Sequence, residues 1–367
     1  MPASTWMRGN GVLNPRQADL QRVILKSVSR SFYLSLTVLP KKLRRQMGLA
    51  YLFCRVADTI ADTPVLPFHE RLPALHTFRA QFQSQTPSRN EIARLMRGIG
   101  DPFPQGSEEE RQLLLRLQDC FDLYDRLSPG DQRLVSDLVV TLSHGMEMDL
   151  ASFPGDTTEH IQALPDRASL ERYTYYVAGV VGEFWTLLCD ANLHAFRNPA
   201  TLQQRMELAR RFGQGLQLTN VLKDLGKDLQ SGRCYLPADE LLDLGLHAGD
   251  LLDPAVFPRI RPLIVSLIQH AVEHLDHGMR YVQLLPRRAL RVRLSCMWPL
   301  LFAVQTLEEV CRSETLLCGR VRVKISRQAV YRTMLGSLWY LAIPAGFLHQ
   351  YARLRQRLMR AASLSPL

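Results

Sequence analysis

The sequence is poor in the features that mark secreted, membrane-spanning and β-rich proteins. Its seven cysteines, Cys54, Cys120, Cys189, Cys234, Cys296, Cys311 and Cys318, stand far apart, and no Cys-x-x-Cys occurs. An odd, scattered set argues against a disulfide framework and fits reduced thiols buried as small hydrophobes, the usage of a cytoplasmic chain. No apolar run follows a basic start in Met1–Leu20, so no secretory leader is expected. The longest apolar stretch, Met334–Leu348, is interrupted by Pro344 and is shorter than the ~20 residues a spanning helix needs. Period-two alternation is nearly absent, and Gly319–Ile325 is the only strand-like piece. No Gly-x-Gly-x-x-Gly follows a strand, which leaves a dinucleotide-binding fold without support. Internal repeats and low-complexity tracts are missing too.

What is present is helical periodicity and an excess of positive charge. The 367 residues are 46% hydrophobic, enough to bury a sizeable core. Lys and Arg number 45 against 35 Asp and Glu, a formal charge of +10. That excess fits nucleic acid, a phosphorylated ligand or an anionic membrane, and equally a basic solvated surface. Leu113, Leu114, Leu117, Phe121 and Tyr124 form one stripe at helical spacing, preceded by a Ser107/Glu110 capping box. Ser128, Pro129 and Asp131 open a second helix. Helices are also expected over about 17–60, 167–190, 199–229, 256–283 and 288–312. The turns at Asp62-Thr63-Pro64, Asp101–Pro104, Phe153–Gly155 and Ser231–Arg233 are all too short for domain linkers. The reading is all-α: one helical domain over 17–315 and an extension over 316–367.

Two acidic pairs stand out. Asp58 and Asp62 are four apart, as are Asp224 and Asp228, so each pair shares one helix face. Two carboxylates about 6 Å apart repel by roughly 3 kcal/mol at an effective dielectric near 20. Nearby Lys or Arg could offset this, and so could a hard divalent cation with oxygen ligands. Asp58 follows the apolar run Leu49–Phe53, and the second pair follows Gln217 and Asn220 on a mostly apolar helix. Polar groups on such helices are costly unless satisfied. Two helices facing each other across a cavity would account for both pairs. A third pattern, His270-Ala271-Val272-Glu273-His274, matches an inverted zinc-protease motif. No Glu follows Glu314 to complete it, and the polar face of a helix is the expected explanation.

Several segments resemble the squalene and phytoene synthase family of head-to-head prenyltransferases. They are Ser29-Arg30-Ser31-Phe32, the Asp58/Asp62 pair, Tyr173–Gly179 followed by Gly182, Gln217–Asn220 with Asp224/Asp228, and Gly232–Pro237. The resemblance covers about residues 20–330. It implies an isoprenoid synthase helical bundle around an apolar pocket. It also implies Mg2+ held by Asp58, Asp62, Asn220, Asp224 and Asp228, gripping the diphosphates of two farnesyl diphosphate molecules. Ser29, Arg30, Ser31, Arg55, Gln217 and Arg233 would contact diphosphate, and Tyr173 would lie in the reaction pocket. Gly179 and Gly182 would thin one helix beside the bound chain or serve close helix packing. With this resemblance, nucleic acid drops out as a partner.

The chain continues past the bundle with Pro299, Thr306-Leu307 and the basic Val321–Arg327, which resembles the squalene synthase branch and its reductive step with NADPH. Lys223, Lys324 and Arg327 are the implied cofactor contacts, and a solvated basic strand is the plainer account of the segment. Ala61, Lys223 and Lys227 depart from common family residues, and Ser295 stands where an aromatic shield for the second-step cation would be sought. The eukaryotic membrane anchor is not evident, which resembles bacterial forms. A dehydrosqualene or phytoene synthase without reduction is the sibling alternative. A non-catalytic assembly protein on the same fold is the alternative of another class, against which the retention of all four aspartates argues. The basic tail Tyr351–Arg360, following the apolar stretch, suggests peripheral membrane contact.

Overall fold

A computed structural model describes residues 32–62, 66–84, 87–90, 92, 94, 108–320, 322–342 and 344–363. Ser29, Arg30, Ser31, Ser107 and the Thr63-Pro64 and 101–104 turns lie outside the described residues. In chain order the elements are α1 (Phe32–Val38), α2 (Lys41–Asp62), α3 (Phe68–Gln83), α4 (Glu108–Leu115), α5 (Leu117–Tyr124), α6 (Pro129–Ser152), β1 (Gln162–Leu164) and α7 (Arg167–Thr174). A π-helical turn, Tyr175–Gly179, joins α7 to α8 (Val180–Asn192). Then follow α9 (Pro199–Gln230), β2 (Arg233–Pro237), α10 (Ala238–Asp243), α11 (Phe257–Leu284), α12 (Leu290–Arg312), α13 (Arg327–Ala342) and α14 (Pro344–Ser363).

The all-α reading holds, with local differences that have physical causes. The expected helix over 17–60 is broken before α2, at Leu39-Pro40, because proline removes a donor and disfavours helix in the residue before it. The Leu113–Tyr124 stripe is interrupted at Arg116, whose backbone leaves the helical region. Ser128 caps α6 as expected, its side chain accepting from the Asp131 N–H. The strand-like 319–325 piece forms no strand among the described residues. Instead β1 and β2 pair in parallel, Gln162 opposite Arg233 and Ala163 opposite Cys234. Every residue of β2 is buried, so no alternation betrays it in sequence.

α9 is the hub of the bundle, packed on α11, α8, the π turn, α12 and β2. α2 buries Leu49, Leu52, Phe53, Val56, Ala57 and Ile60 against α6 and the helices around it. Close approach at the hub is set by glycine. A Cβ on Gly182 would lie 2.0 Å from the Ala209 carbonyl oxygen, and one on Gly213 2.2 Å from that of Ala178. The turn from α9 into β2 uses Gly232 at φ +74°, a conformation L side chains disfavour.

Past residue 315 the chain returns to the hub. Leu316 and Leu317 lie so near Gly226, between the two aspartates of α9, that a Cβ there would meet the Leu316 carbonyl at 2.7 Å. α13 and α14 then pack on α12. Tyr351, Leu354 and Leu358 are buried, Arg355 Nε bonds Asp276 at 3.1 Å, and Arg357 Nη2 bonds Glu308 at 2.8 Å. Two arginines of the basic tail, Arg355 and Arg357, therefore pair with the bundle, while Arg353 and Arg360 are exposed. No helix among the described residues is long and apolar enough to cross a membrane.

The glycine contacts make a direct prediction. Gly182→Ala should destabilise the fold by about 1–3 kcal/mol or more, since the clash is with backbone. Gly249→Ala, whose nearest neighbour would be 3.7 Å away, is the control. Urea midpoints that move equally for the two variants would refute the close-packing account.

Candidate active site

The last turns of α2 and α9 converge on one cavity of about 390 Å3, within the range of small-molecule sites. Its walls include Asp58, Asp62, Tyr173, Gln217, Asn220, Asp224, Asp228 and Arg233. The sequence-derived residues from four separate segments thus meet. Both aspartate pairs sit at helix C-termini, where the macrodipole is already negative. Burial and the Asp62 charge push Asp58 up to about 7, against the opposing pull of Arg55. Burial and the Asp224 charge push Asp228 up to about 7, against Lys227. Carboxyls so reluctant to ionise, gathered across one cavity, match the donor set of a hard cation, whose binding would displace their protons.

Cationic side chains already occupy part of this field. Arg55 pairs with Asp58 and Glu110, and Lys223 pairs with its neighbour Asp224. Arg233 Nη1 lies 2.5 Å from Asp62 Oδ1 and 3.0 Å from Asp149 Oδ2. Burial works against the Arg233 charge, yet Asp62 and Asp149 outweigh it and raise its pKa. Arg55 Nε and Arg233 Nε are buried donors without acceptors among the described residues. β2 aims alternate residues at the site: Tyr235 follows Arg233, donates its hydroxyl to Asp149 Oδ1 at 2.6 Å, and stacks on Tyr173 at 4.7 Å. Burial raises the pKa of Tyr173 well above the phenol range, so its hydroxyl stays protonated.

The acidic cavity continues at Gln217 and Asn220, which also line an apolar cavity of about 200 Å3. Leu36, Leu39, Trp185, Phe212 and Tyr281 supply much of its wall, together with Gly182, Ser295 and Cys296. Gly182 therefore packs closely and opens space at once. Ser295 lies in this wall, where the aromatic surface comes from Trp185, Phe212 and Tyr281 instead.

Sequence reasoning missed those three aromatics, and also Asp149, Asp156 and Tyr235. Asp149 left a signal: it is an acid in register with the apolar face of α6, beside Met146 and Leu150. Tyr235 lies inside Gly232–Pro237, one of the segments that carry the family resemblance. Asp156 was hidden, because its importance comes from Arg71, a 2%-exposed arginine that bonds it at 2.6 and 3.0 Å.

The cofactor candidates are not brought together. Lys223 borders the acidic site, whereas Lys324 lines a separate cavity with Arg332, Arg353 and Arg357 between α12, α13 and α14. Arg327 opens α13 and is exposed. α12 lies between the Lys324 cavity and the apolar one: Ser295, Cys296 and Pro299 line the apolar cavity, and Leu301, Gln305, Glu308 and Glu309 the other.

The His270/His274 pattern is more than a polar helix face. His274 is 2% exposed, and both rings meet Glu171 of α7, an acid from upstream rather than downstream. The three ligand atoms lie within 4.8 Å of one another. A metal on His274 Nε2 would oblige Nδ1 to carry a proton, yet Nδ1 is buried without an acceptor. As it stands the trio is joined by hydrogen bonds through the carboxylate. The hydrogen bond to Glu171 raises the pKa of His270, outweighing burial.

Comparison with known proteins agrees with this architecture. A family model described as squalene/phytoene synthase matches residues 25–329. The squalene synthase of Eremothecium gossypii is 27% identical over 350 residues, 93% of this chain and 73% of that one. The presqualene diphosphate synthase of Rhodopseudomonas palustris is 29% identical over 278 residues, 76% of this chain and 82% of that one. The solved structure of TcSQS with the ligand E5700 superposes with a TM-score of 0.73 at 22% identity, covering 96% of this chain and 99% of that one, and so shares its fold.

The buried ion network can be tested directly. Arg233→Gln leaves Asp149 unpaired where its side chain is 4% exposed, and should cost about 3–5 kcal/mol. Adding Asp149→Asn should recover much of that loss. If the double variant is as unstable as the sum of the singles, the two residues are not coupled.

Proposed function

The chain belongs to the squalene/phytoene synthase family, and from that membership we propose that it joins two farnesyl diphosphates head to head into presqualene diphosphate and reduces this with NADPH to squalene. The observation that carries the reading is an acidic cavity and an apolar one that share Gln217 and Asn220 as wall residues. Diphosphate belongs in the first and prenyl chain in the second.

Asp58, Asp62, Asp224 and Asp228, with Asn220 beside them, would hold magnesium, which supplies positive charge to the leaving diphosphate. Arg233 brings a guanidinium group to the wall of the same cavity, Arg55 reaches it through its pair with Asp58, and Gln217 lines both cavities. The Ser29-Arg30-Ser31 segment is proposed to contact diphosphate as well. As the allylic C–O bond breaks, its electron pair leaves with diphosphate. The alkene of the second chain attacks the resulting cation, and loss of a proton closes the cyclopropane. Tyr173, buried, protonated and in the wall of the acidic cavity, is proposed to donate a hydrogen bond to departing diphosphate. Trp185, Phe212 and Tyr281 keep water from the cation and offer it π-faces.

NADPH, when bound, supplies the hydride for the second half-reaction. Its phosphates are assigned to the cavity around Lys324, where Arg332, Arg353 and Arg357 outnumber Glu308 and Glu309, with Arg327 on the adjoining end of α13 and Lys223 nearer the acidic site. The similarity to a presqualene diphosphate synthase favours a second reading, in which the reaction stops at the cyclopropyl product. Dehydrosqualene or phytoene synthesis without reduction is a third outcome of the same assay. That assay is incubation with farnesyl diphosphate and Mg2+, with and without NADPH, followed by analysis of diphosphate esters and hydrocarbons. Squalene formed equally well without NADPH or NADH would overturn the reductive step.

Two sets of substitutions sharpen this. Asp58→Asn or Asp224→Asn should lower turnover at least about 100-fold while leaving the melting temperature close to wild type, since each removes a hard ligand but keeps its shape. Near-normal activity with unchanged magnesium dependence would sink the metal assignment. Lys324→Ala with Arg327→Ala should lower reduced product several-fold while farnesyl diphosphate consumption persists. A parallel decline of both half-reactions would mean that these residues only stabilise the C-terminal segment.

A further inference from the structure

We propose that α13 is a membrane-docking face that seats the protein on an anionic lipid bilayer. α13 is arranged inside out. Its inner face is held by small polar residues: Ser337 Oγ accepts from Trp298 Nε1 at 2.7 Å, and Thr333 Oγ1 accepts from Gln305 Nε2 at 3.1 Å. Its outer face carries Tyr331, Leu335, Leu338 and Trp339, which are 57–70% exposed. These positions, spaced four, three and one apart, form a single helical stripe. No other described helix exposes so many large apolar side chains, and Leu348 near the start of α14 is exposed too.

The charge around this stripe identifies the occupant. The sequence after Glu314 holds nine Lys and Arg and no Asp or Glu, so it carries nearly all of the formal charge of +10. Arg355 and Arg357 are paired with Asp276 and Glu308. Arg322, Lys324, Arg327 and Arg332 are exposed and have no acidic partner among the described residues. A second copy of the chain would bring like charge against like charge, whereas an anionic bilayer matches both the apolar stripe and its basic border. Tryptophan and tyrosine suit the interfacial depth, and no described helix is built to span. The docking element is thus α13, whereas the Tyr351–Arg360 tail mainly braces it from behind. The assignment is independent of which hydrocarbon or diphosphate ester the enzyme makes.

The test is co-sedimentation of the full chain with vesicles. Binding to phosphatidylglycerol-containing vesicles is expected, with little to pure phosphatidylcholine, and it should weaken several-fold on raising salt. Leu335→Ser with Trp339→Ser should reduce the bound fraction roughly tenfold or more with an unchanged melting temperature. Brominated lipid should quench tryptophan fluorescence in the wild type and much less in Trp339→Phe. Wild-type levels of vesicle binding by the double variant would overturn the proposal. So would equal binding to neutral vesicles, or a dimer in sedimentation equilibrium that the double variant dissolves while vesicles bind neither form. A failure here leaves the farnesyl diphosphate assay untouched, and a failure of that assay leaves this one standing.

Discussion

Four aspartates project from the last turns of α2 and α9, where the helix dipoles already concentrate negative charge. Left alone, that arrangement would push the two helix ends apart. Packing at the other end of each helix and a web of arginines hold it together. Arg233 spans from Asp62 to Asp149, and Asp156 links Arg233 to the deeply buried Arg71. The web joins α2, α3, α6 and β2, so the electrostatic demand of the cavity is distributed over the fold. β2 exists in that setting as a rigid bracket: five buried residues, paired to β1, that point Arg233 and Tyr235 the same way.

The helices were legible because their apolar stripes are long and regular, and the aspartate pairs because helical spacing places them on one face. The glycines near the hub were legible only as candidates, since the identity of the opposing backbone decides what they do. β2 was not legible as a strand, because burial on all sides erases the alternation that marks a strand in sequence. Asp149 and Asp156 could not be ranked above other acids, because their partners Arg233 and Arg71 are far away along the chain. The histidine pair shows the same limit from another side: its acid lies on α7, about a hundred residues upstream, where a motif search does not look.

The two cavities divide the chemistry by polarity. One is lined by charge and accepts a polyanion together with its counter-ions. The other offers carbon, aromatic faces and few polar atoms, which suits a hydrocarbon chain and a cation that must avoid water. Gln217 and Asn220 mark the seam, two turns and one turn before Asp224 on α9. A displacement of α9 along its axis would shift the seam and the acidic cluster together, so the tight glycine contacts that pin this helix also protect the registry between the two halves of the reaction.

Gly226 sits between Asp224 and Asp228, with the backbone of Leu316 and Leu317 against it and Gly319 close to Gln230. For anyone dissecting the chain, this contact makes residue 315 a poor place to cut. A truncation there would strip the outer wall from the turn that bears the second acidic pair and expose apolar helix surface beneath it. Fusion partners and affinity tags belong instead beyond Ser363, where α14 ends.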